Sequence, residues 1–169
     1  IFAQSQIDKD RISTLTNREI KFIGNLKLSL NKNFQNIRNN ELKYYKNYKI
    51  LMFASTHEDE EFKFLPIIKA LLSNIDKLKI IIAPRHPERS NQILAYYLKH
   101  GISAELINKL INFKNDVNIV NTFGNLPYYF SISDLVFLGG SFVKKGGHNP
   151  IEPAINNCGI LAGPNIYNW

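Results

Sequence analysis

Short apolar stretches recur along this chain with helical patterns between them, and that alternation restricts the fold more than any other feature. The stretches are Lys49–Ala54, Lys79–Ala83, Val117–Asn121, Leu135–Leu138 and Ile160–Ala162. They are short, β-branched or apolar, and lack strict polar alternation, as strands covered on both faces do. Between them lie helical patterns at Glu58–Asn74, Glu88–His100, Asn125–Ser131 and Asn149–Asn157. Strand and helix in turn predict an α/β fold: a Rossmann-like parallel sheet with helices on both faces. Ligands bind such sheets beyond the carboxyl ends of the strands. The polar motifs of this chain fall at those ends.

Upstream, Ile1–Ala3 and Ile20–Ile23 read as strands around a helix from about Ser5 to Leu15. Asn31–Asn47 is polar, rich in Asn and Lys, and has no core periodicity. The expected organisation is therefore the tail of one α/β domain over 1–30, a connector over 31–47, and most of a second domain over 48–169. The chain begins Ile-Phe-Ala-Gln, without a methionine or signal sequence, and stops soon after Gly163-Pro164. We read it as a fragment, with a possible membrane anchor upstream and further helices downstream. Its apolar runs are too short to span a bilayer. The net charge of +7 favours anionic partners. No basic helix with interleaved aromatics is present, so a phosphorylated ligand or an anionic membrane surface fits better than nucleic acid. The single cysteine, Cys158, reads as a buried apolar residue in a reducing compartment.

The densest motif runs from Gly139-Gly140-Ser141 through Lys144-Lys145-Gly146-Gly147-His148 to Asn149-Pro150-Ile151-Glu152-Pro153. Plain strand-to-helix connections take about 2–6 residues. This one is longer and combines glycines, lysines, a helix start and an acid, which suits a phosphorylated, ribose-bearing ligand. Glu152 has two readings: a ligand for ribose, or half of an Asn149–Glu152 capping box with Pro150 in the first turn. Ser55-Thr56-His57-Glu58 likewise reads as a capping box, or as Ser55 and His57 facing the cleft. The acids Glu58 to Glu61 suit a helix start and argue against a tightly bound phosphate there. Pro66 implies a kink, or a helix beginning nearer Phe64. In Pro84-Arg85-His86-Pro87-Glu88-Arg89, two prolines stiffen the backbone and aim Arg85, whose planar fork suits phosphate or carboxylate. The alternative is a structural ion pair. Arg89, one turn later, serves Glu88 or solvent. Phe123-Gly124-Asn125 offers backbone amides to a base edge, while Tyr128 and Tyr129 read as core. Lys27, in Gly24-Asn25-Leu26-Lys27, reads as a surface charge or as a cation reaching a cleft. No His, Cys and acid spacing suggests a metal.

Gln4-Ser5 with Asp8 and Arg11, Gly24 to Lys27, Ser55 to Glu58, Pro84 to Arg89, Gly139 to Ser141, Gly146 to Pro153 and Gly163-Pro164 occur in that order. Together they resemble the 3-deoxy-D-manno-octulosonic acid (Kdo) transferases of Gram-negative bacteria. The resemblance implies a GT-B glycosyltransferase, here incomplete, whose C-terminal domain binds CMP-Kdo. It implies inverting transfer of Kdo to a lipid A precursor in lipopolysaccharide biosynthesis, with no cofactor and no metal. The enzyme would sit at the cytoplasmic face of the inner membrane, held by an N-terminal region upstream of Ile1. On matching motifs, Pro84 and Arg85 contact CMP, Phe123, Gly124 and Asn125 line the base, and Asn149, Pro150, Ile151 and Glu152 hold the nucleotide. Ser55, His57, His86, Gly147 and His148 are further candidates. Lys27 matches a position that stabilises the transition state. The family's general base, a glutamate, belongs upstream of Ile1, so the chain alone is expected to be inactive. The family has Gly-Glu-Leu at Gly124-Asn125-Leu126 and often Gly at Asp59. The alternatives are a related GT-B enzyme using a UDP-sugar, and a non-catalytic remnant of a split gene.

Overall fold

The computed structural model describes residues 1–24, 43–109 and 111–169. The chain divides into two compact units, Ile1–Phe34 and Gln35–Trp169.

In the first unit, β1 (Phe2–Ala3) pairs in parallel with β2 (Lys21–Phe22) across α1 (Gln6–Ser13). The Ser5 hydroxyl accepts from the Asp8 N–H at 3.0 Å and donates to the Asp8 carboxylate at 2.7 Å. That N-cap sets the start of α1. Lys27 lies outside the described residues, as does most of the expected connector.

The second unit holds β3 (Lys49–Thr56), α2 (Glu60–Asn74), β4 (Leu78–Pro84), α3 (Ser90–Lys99), β5 (Ala104–Ile107), β6 (Val117–Val120), α4 (Leu126–Ile132), β7 (Leu135–Leu138), α5 (Ile151–Ile155) and β8 (Gly159–Ala162). A 3₁₀ turn, Pro87–Arg89, leads into α3. The strands form one sheet in the order β5-β6-β4-β3-β7-β8, and every neighbouring pair is parallel.

Successive residues of the central strands enter opposite cores, the period-2 consequence of the pleat. Ile50, Met52 and Ala54 of β3 join Ile81 and Ala83 of β4 and Val136 and Leu138 of β7, under Tyr129, Phe130 and Ile132 of α4. Leu51, Phe53, Ile80, Ile82 and Phe137 face the other way, against Phe64, Leu65 and Ile68 of α2 and Ile93 and Tyr97 of α3. The helices therefore lie on both faces, and strands buried on both faces read as continuous apolar runs.

One strand was not expected and two expectations are corrected. β5 carries Glu105 and only partial burial, so it lacks the apolar signature of its neighbours. α2 begins at Glu60, after Asp59 at φ 73°, and has no side-chain cap, so Ser55 and Glu58 form no capping box. Pro66 does not delay the start to Phe64: it lies inside the helix on the exposed side, while Phe64, Leu65 and Ile68 hold the buried face.

Chain order sets the ligand crevice. From β3 the chain moves outward to β4 on one side, and it later returns to place β7 and β8 on the other. The carboxyl ends of β3 and β7 therefore flank the switch point, where doubly wound sheets take their ligands.

Candidate functional site

At the end of β3 the ladder to β4 slips between Ala54 and Thr56, and Ser55 takes a positive φ of 56°. That bulge turns the chain over the end of β7. Gly139 lies so close that a Cβ there would stand 2.2 Å from the Ser55 carbonyl oxygen. The first glycine pair thus serves backbone packing at Gly139 and a left-handed turn at Gly140, with φ 70°. The loop closes on itself, for the Gly147 N–H donates to the Gly140 carbonyl at 3.1 Å and the His148 N–H to that of Gly139 at 3.2 Å. The segment after β8 supports it from below. The Asn165 amide and backbone donate to the Ser141 carbonyl, and the Asn168 side chain donates to that of Lys145.

Two buried carboxylates anchor this end of the sheet. Glu60 is fully buried. One of its oxygens accepts the N–H groups of His57 at 2.9 Å and Gly140 at 2.8 Å, and the other accepts that of Phe142 at 3.1 Å. It therefore ties the loop after β3 to the glycine loop. Glu61 accepts both guanidinium nitrogens of Arg89 at 3.1 Å and the Thr56 hydroxyl at 2.8 Å. Arg89 is thus paired with Glu61, rather than with Glu88 or solvent as its spacing suggested. Acids Glu60 and Glu61 are structural, so they do not count against an anion in the cleft. The helical period carried this signal: Glu60 is one turn before Phe64, and Glu61 one turn before Leu65, both core residues.

Across the ends of β3, β4 and β6 lies an open cavity. Ser55, Pro84, Arg85, Phe123 and Gly124 line it, with Pro87, Thr122 and Leu126. Five sequence candidates thus meet in one place. Arg85 and Phe123 are exposed, the latter 72%. Asn125 stands beside the cavity with its side chain engaged, donating to the Asn108 carbonyl at 2.8 Å. Asn149, Pro150, Ile151 and Glu152 are not in this lining but on the loop after β7 and the start of α5. The Asn149 side chain accepts from the Ile151 N–H at 3.0 Å and donates to the Glu152 carboxylate at 3.2 Å. The capping box is therefore altered: Glu152 reaches the Asn149 side chain instead of its backbone.

The switch point is spanned by two histidines. His57, after β3, and His148, after β7, bring their Nε2 atoms to 2.8 Å with rings nearly parallel at 9°. His86 is edge-on to His57 with centroids 6.3 Å apart, and its Nδ1 lies 3.5 Å from the Glu88 carboxylate. Burial lowers the His57 pKa from its ordinary 6.5; Glu60 opposes this, and Lys145, His86 and Arg85 add to it. Gly147, at φ 74°, turns the chain into His148. Among the described residues, no three His, Cys, Asp or Glu side chains cluster as metal ligands would. No helix among them is long and apolar enough to cross a membrane.

No protein-family model matches the chain. Its relatives are nonetheless consistent. It is 36% identical to the 3-deoxy-D-manno-octulosonic acid transferase of Rickettsia bellii, over 98% of this chain and 40% of that protein. To the enzyme of the same name from Haemophilus influenzae it is 33% identical, over 100% of this chain and 41% of that one. Over nearly its whole length the chain is thus similar to part of the Kdo transferases. It spans about two fifths of the length of these relatives. The fold agrees with that similarity. The crystal structure of the C-terminal CMP-Kdo binding domain of WaaA from Acinetobacter baumannii matches with a TM-score of 0.68 and 27% identity, over 78% of this chain and 74% of that domain. The six-stranded parallel sheet with helices on both faces thus has the Rossmann-like architecture of that domain.

Proposed function

We propose that this chain is the CMP-Kdo-binding part of a Kdo transferase. The whole enzyme would be an inverting, metal-independent glycosyltransferase that moves Kdo from CMP-Kdo to a hydroxyl of a lipid A precursor in lipopolysaccharide synthesis. The observation that carries this reading is the convergence of Ser55, Pro84, Arg85, Phe123 and Gly124 in one cavity at the strand ends.

In this reading Phe123 and the backbone at Gly124 take the base, since the Asn125 amide is committed to Asn108. Arg85, held between Pro84 and the turn at Pro87, meets the phosphate with its planar fork. Glu152 accepts from the ribose hydroxyls, its carboxylate steadied by Asn149. Fixing the nucleotide and offsetting negative charge on the departing phosphate are this chain's share of the catalysis. Lys27 adds a cation to the transition state. Deprotonation of the acceptor hydroxyl is assigned to a preceding acceptor domain. The cytoplasmic face of the inner membrane is the proposed location, and the net charge of +7 suits an anionic membrane surface.

Equilibrium dialysis with labelled CMP-Kdo tests the donor. Displacement by CMP and not by a UDP-sugar is expected; displacement by the UDP-sugar alone would make this a different GT-B enzyme. The purified chain alone should transfer no Kdo, and detected transfer would overturn the division of labour.

A further inference from the structure

The His57–His148 pair stands at the switch point, between strands β3 and β7. Gly140 lies against both rings: a Cβ there would come within 3.1 Å of His57 Cδ2 and 3.3 Å of His148 Cδ2. No larger residue leaves the rings where they are. Between two imidazole nitrogens 2.8 Å apart there is room for one proton. One neutral ring donates its Nε2–H, and the other accepts. The donor ring then carries its lone pair on Nδ1. A further proton from solvent can settle on that Nδ1 without breaking the shared hydrogen bond. The pair then carries one positive charge, with an added N–H at the protonated Nδ1. A second added proton would set two N–H groups against each other and part the rings.

The surroundings decide when that proton arrives. Positive charge at Arg85 after β4, at Lys145 in the glycine loop and at His86 bears on His57 and opposes its protonation. Glu60 is the carboxylate that favours it, and its oxygens are already engaged by three backbone N–H groups. An anion placed among these cations reverses the balance by offsetting their field.

We propose that the His57–His148 pair is a proton-linked contact for the anionic part of the donor, taking up one proton as a phosphoryl or carboxylate group docks at the switch point and releasing it as that group leaves. This rests on the reading that the chain binds a CMP-sugar acid. The pair thereby adds positive charge only while the anion is present.

The test is calorimetric titration of the full chain at pH 7 in buffers of different ionisation enthalpy, which counts protons exchanged on binding. CMP is expected to bind with net uptake approaching about one proton. His57→Gln and His148→Gln should each abolish the uptake, while His100→Gln, on the far end of α3, should leave it unchanged. Cytidine, which lacks the anion, should bind without uptake, and uptake with cytidine overturns the proposal. Uptake with CMP assigns the contact to the phosphate, and uptake with free Kdo alone assigns it to the carboxylate. Binding of CMP and of Kdo both without uptake, or uptake unchanged in both histidine variants, overturns the proposal while ligand binding stands. A folded chain that binds neither CMP nor Kdo overturns both readings.

Discussion

Replacing Glu60 by glutamine turns one of its two acceptor oxygens beneath the glycine loop into a donor and removes its negative charge, with almost no change in size. In the native chain one oxygen accepts from His57 and Gly140, and the other from Phe142. The best glutamine rotamer keeps its carbonyl toward His57 and Gly140. Its NH₂ then faces the Phe142 N–H, donor against donor. A hydrogen bond to a charged acceptor is worth about 1.5–3 kcal/mol, and a buried donor left unmade costs about 1–3 kcal/mol. The two overlap, so the expected loss is about 2–4 kcal/mol. With a urea m-value of about 1–3 kcal/mol/M, the unfolding midpoint should fall by on the order of 1–2 M. Glu58→Gln, at an exposed position two residues earlier, should stay within about 0.5 kcal/mol of the parent. Equal midpoints for the two variants would refute the claim that Glu60 carries the loop.

Two other substitutions probe the same end of the sheet, and a buried thiol probes the opposite end, at the start of β8. Arg89→Met leaves the buried Glu61 carboxylate without its guanidinium and should cost about 3–5 kcal/mol in urea unfolding; adding Glu61→Gln should recover part of that loss, and a strictly additive double variant would contradict the pairing. Gly139→Ala drives a methyl into the Ser55 backbone, 2.2 Å away, and should cost about 1–3 kcal/mol with amide shifts at Ser55 and Thr56. Burial pushes the Cys158 thiol up from its ordinary 9.0 to about 11, and Cys158 donates to the Phe130 carbonyl. The unfolded thiol therefore loses its proton first, so its contribution to stability is complete below pH 9 and lost as pH rises towards 11. Native Cys158 should resist thiol reagents at pH 8 and react quickly in urea; rapid native labelling would contradict its burial.

The sheet was legible because β3, β4, β6 and β7 are runs of Ile, Val, Leu, Phe and Met that only two covered faces tolerate. β5 escaped because an edge strand with Glu105 at its centre has no such run. Much of the cavity was legible too, for the strand-end rule alone points to Pro84, Arg85, Phe123 and Gly124. Glu60 and Glu61 were misjudged because acids at a helix start suit the dipole, and that local rule masked their phase with Phe64 and Leu65. The histidine pair was beyond the sequence for another reason. It depends on β3 and β7 being neighbours, and sheet order follows from tertiary packing across an interval of about eighty residues. Likewise Arg89 found Glu61 only because α2 and α3 share a face of the sheet.

Calorimetric titration of the folded chain with CMP and UMP, with Glu152→Ala as control, decides whether the strand ends form a CMP site. CMP should bind more tightly than UMP, and Glu152→Ala should weaken CMP binding. A folded chain that binds neither nucleotide, or that prefers UMP, would contradict a CMP site there.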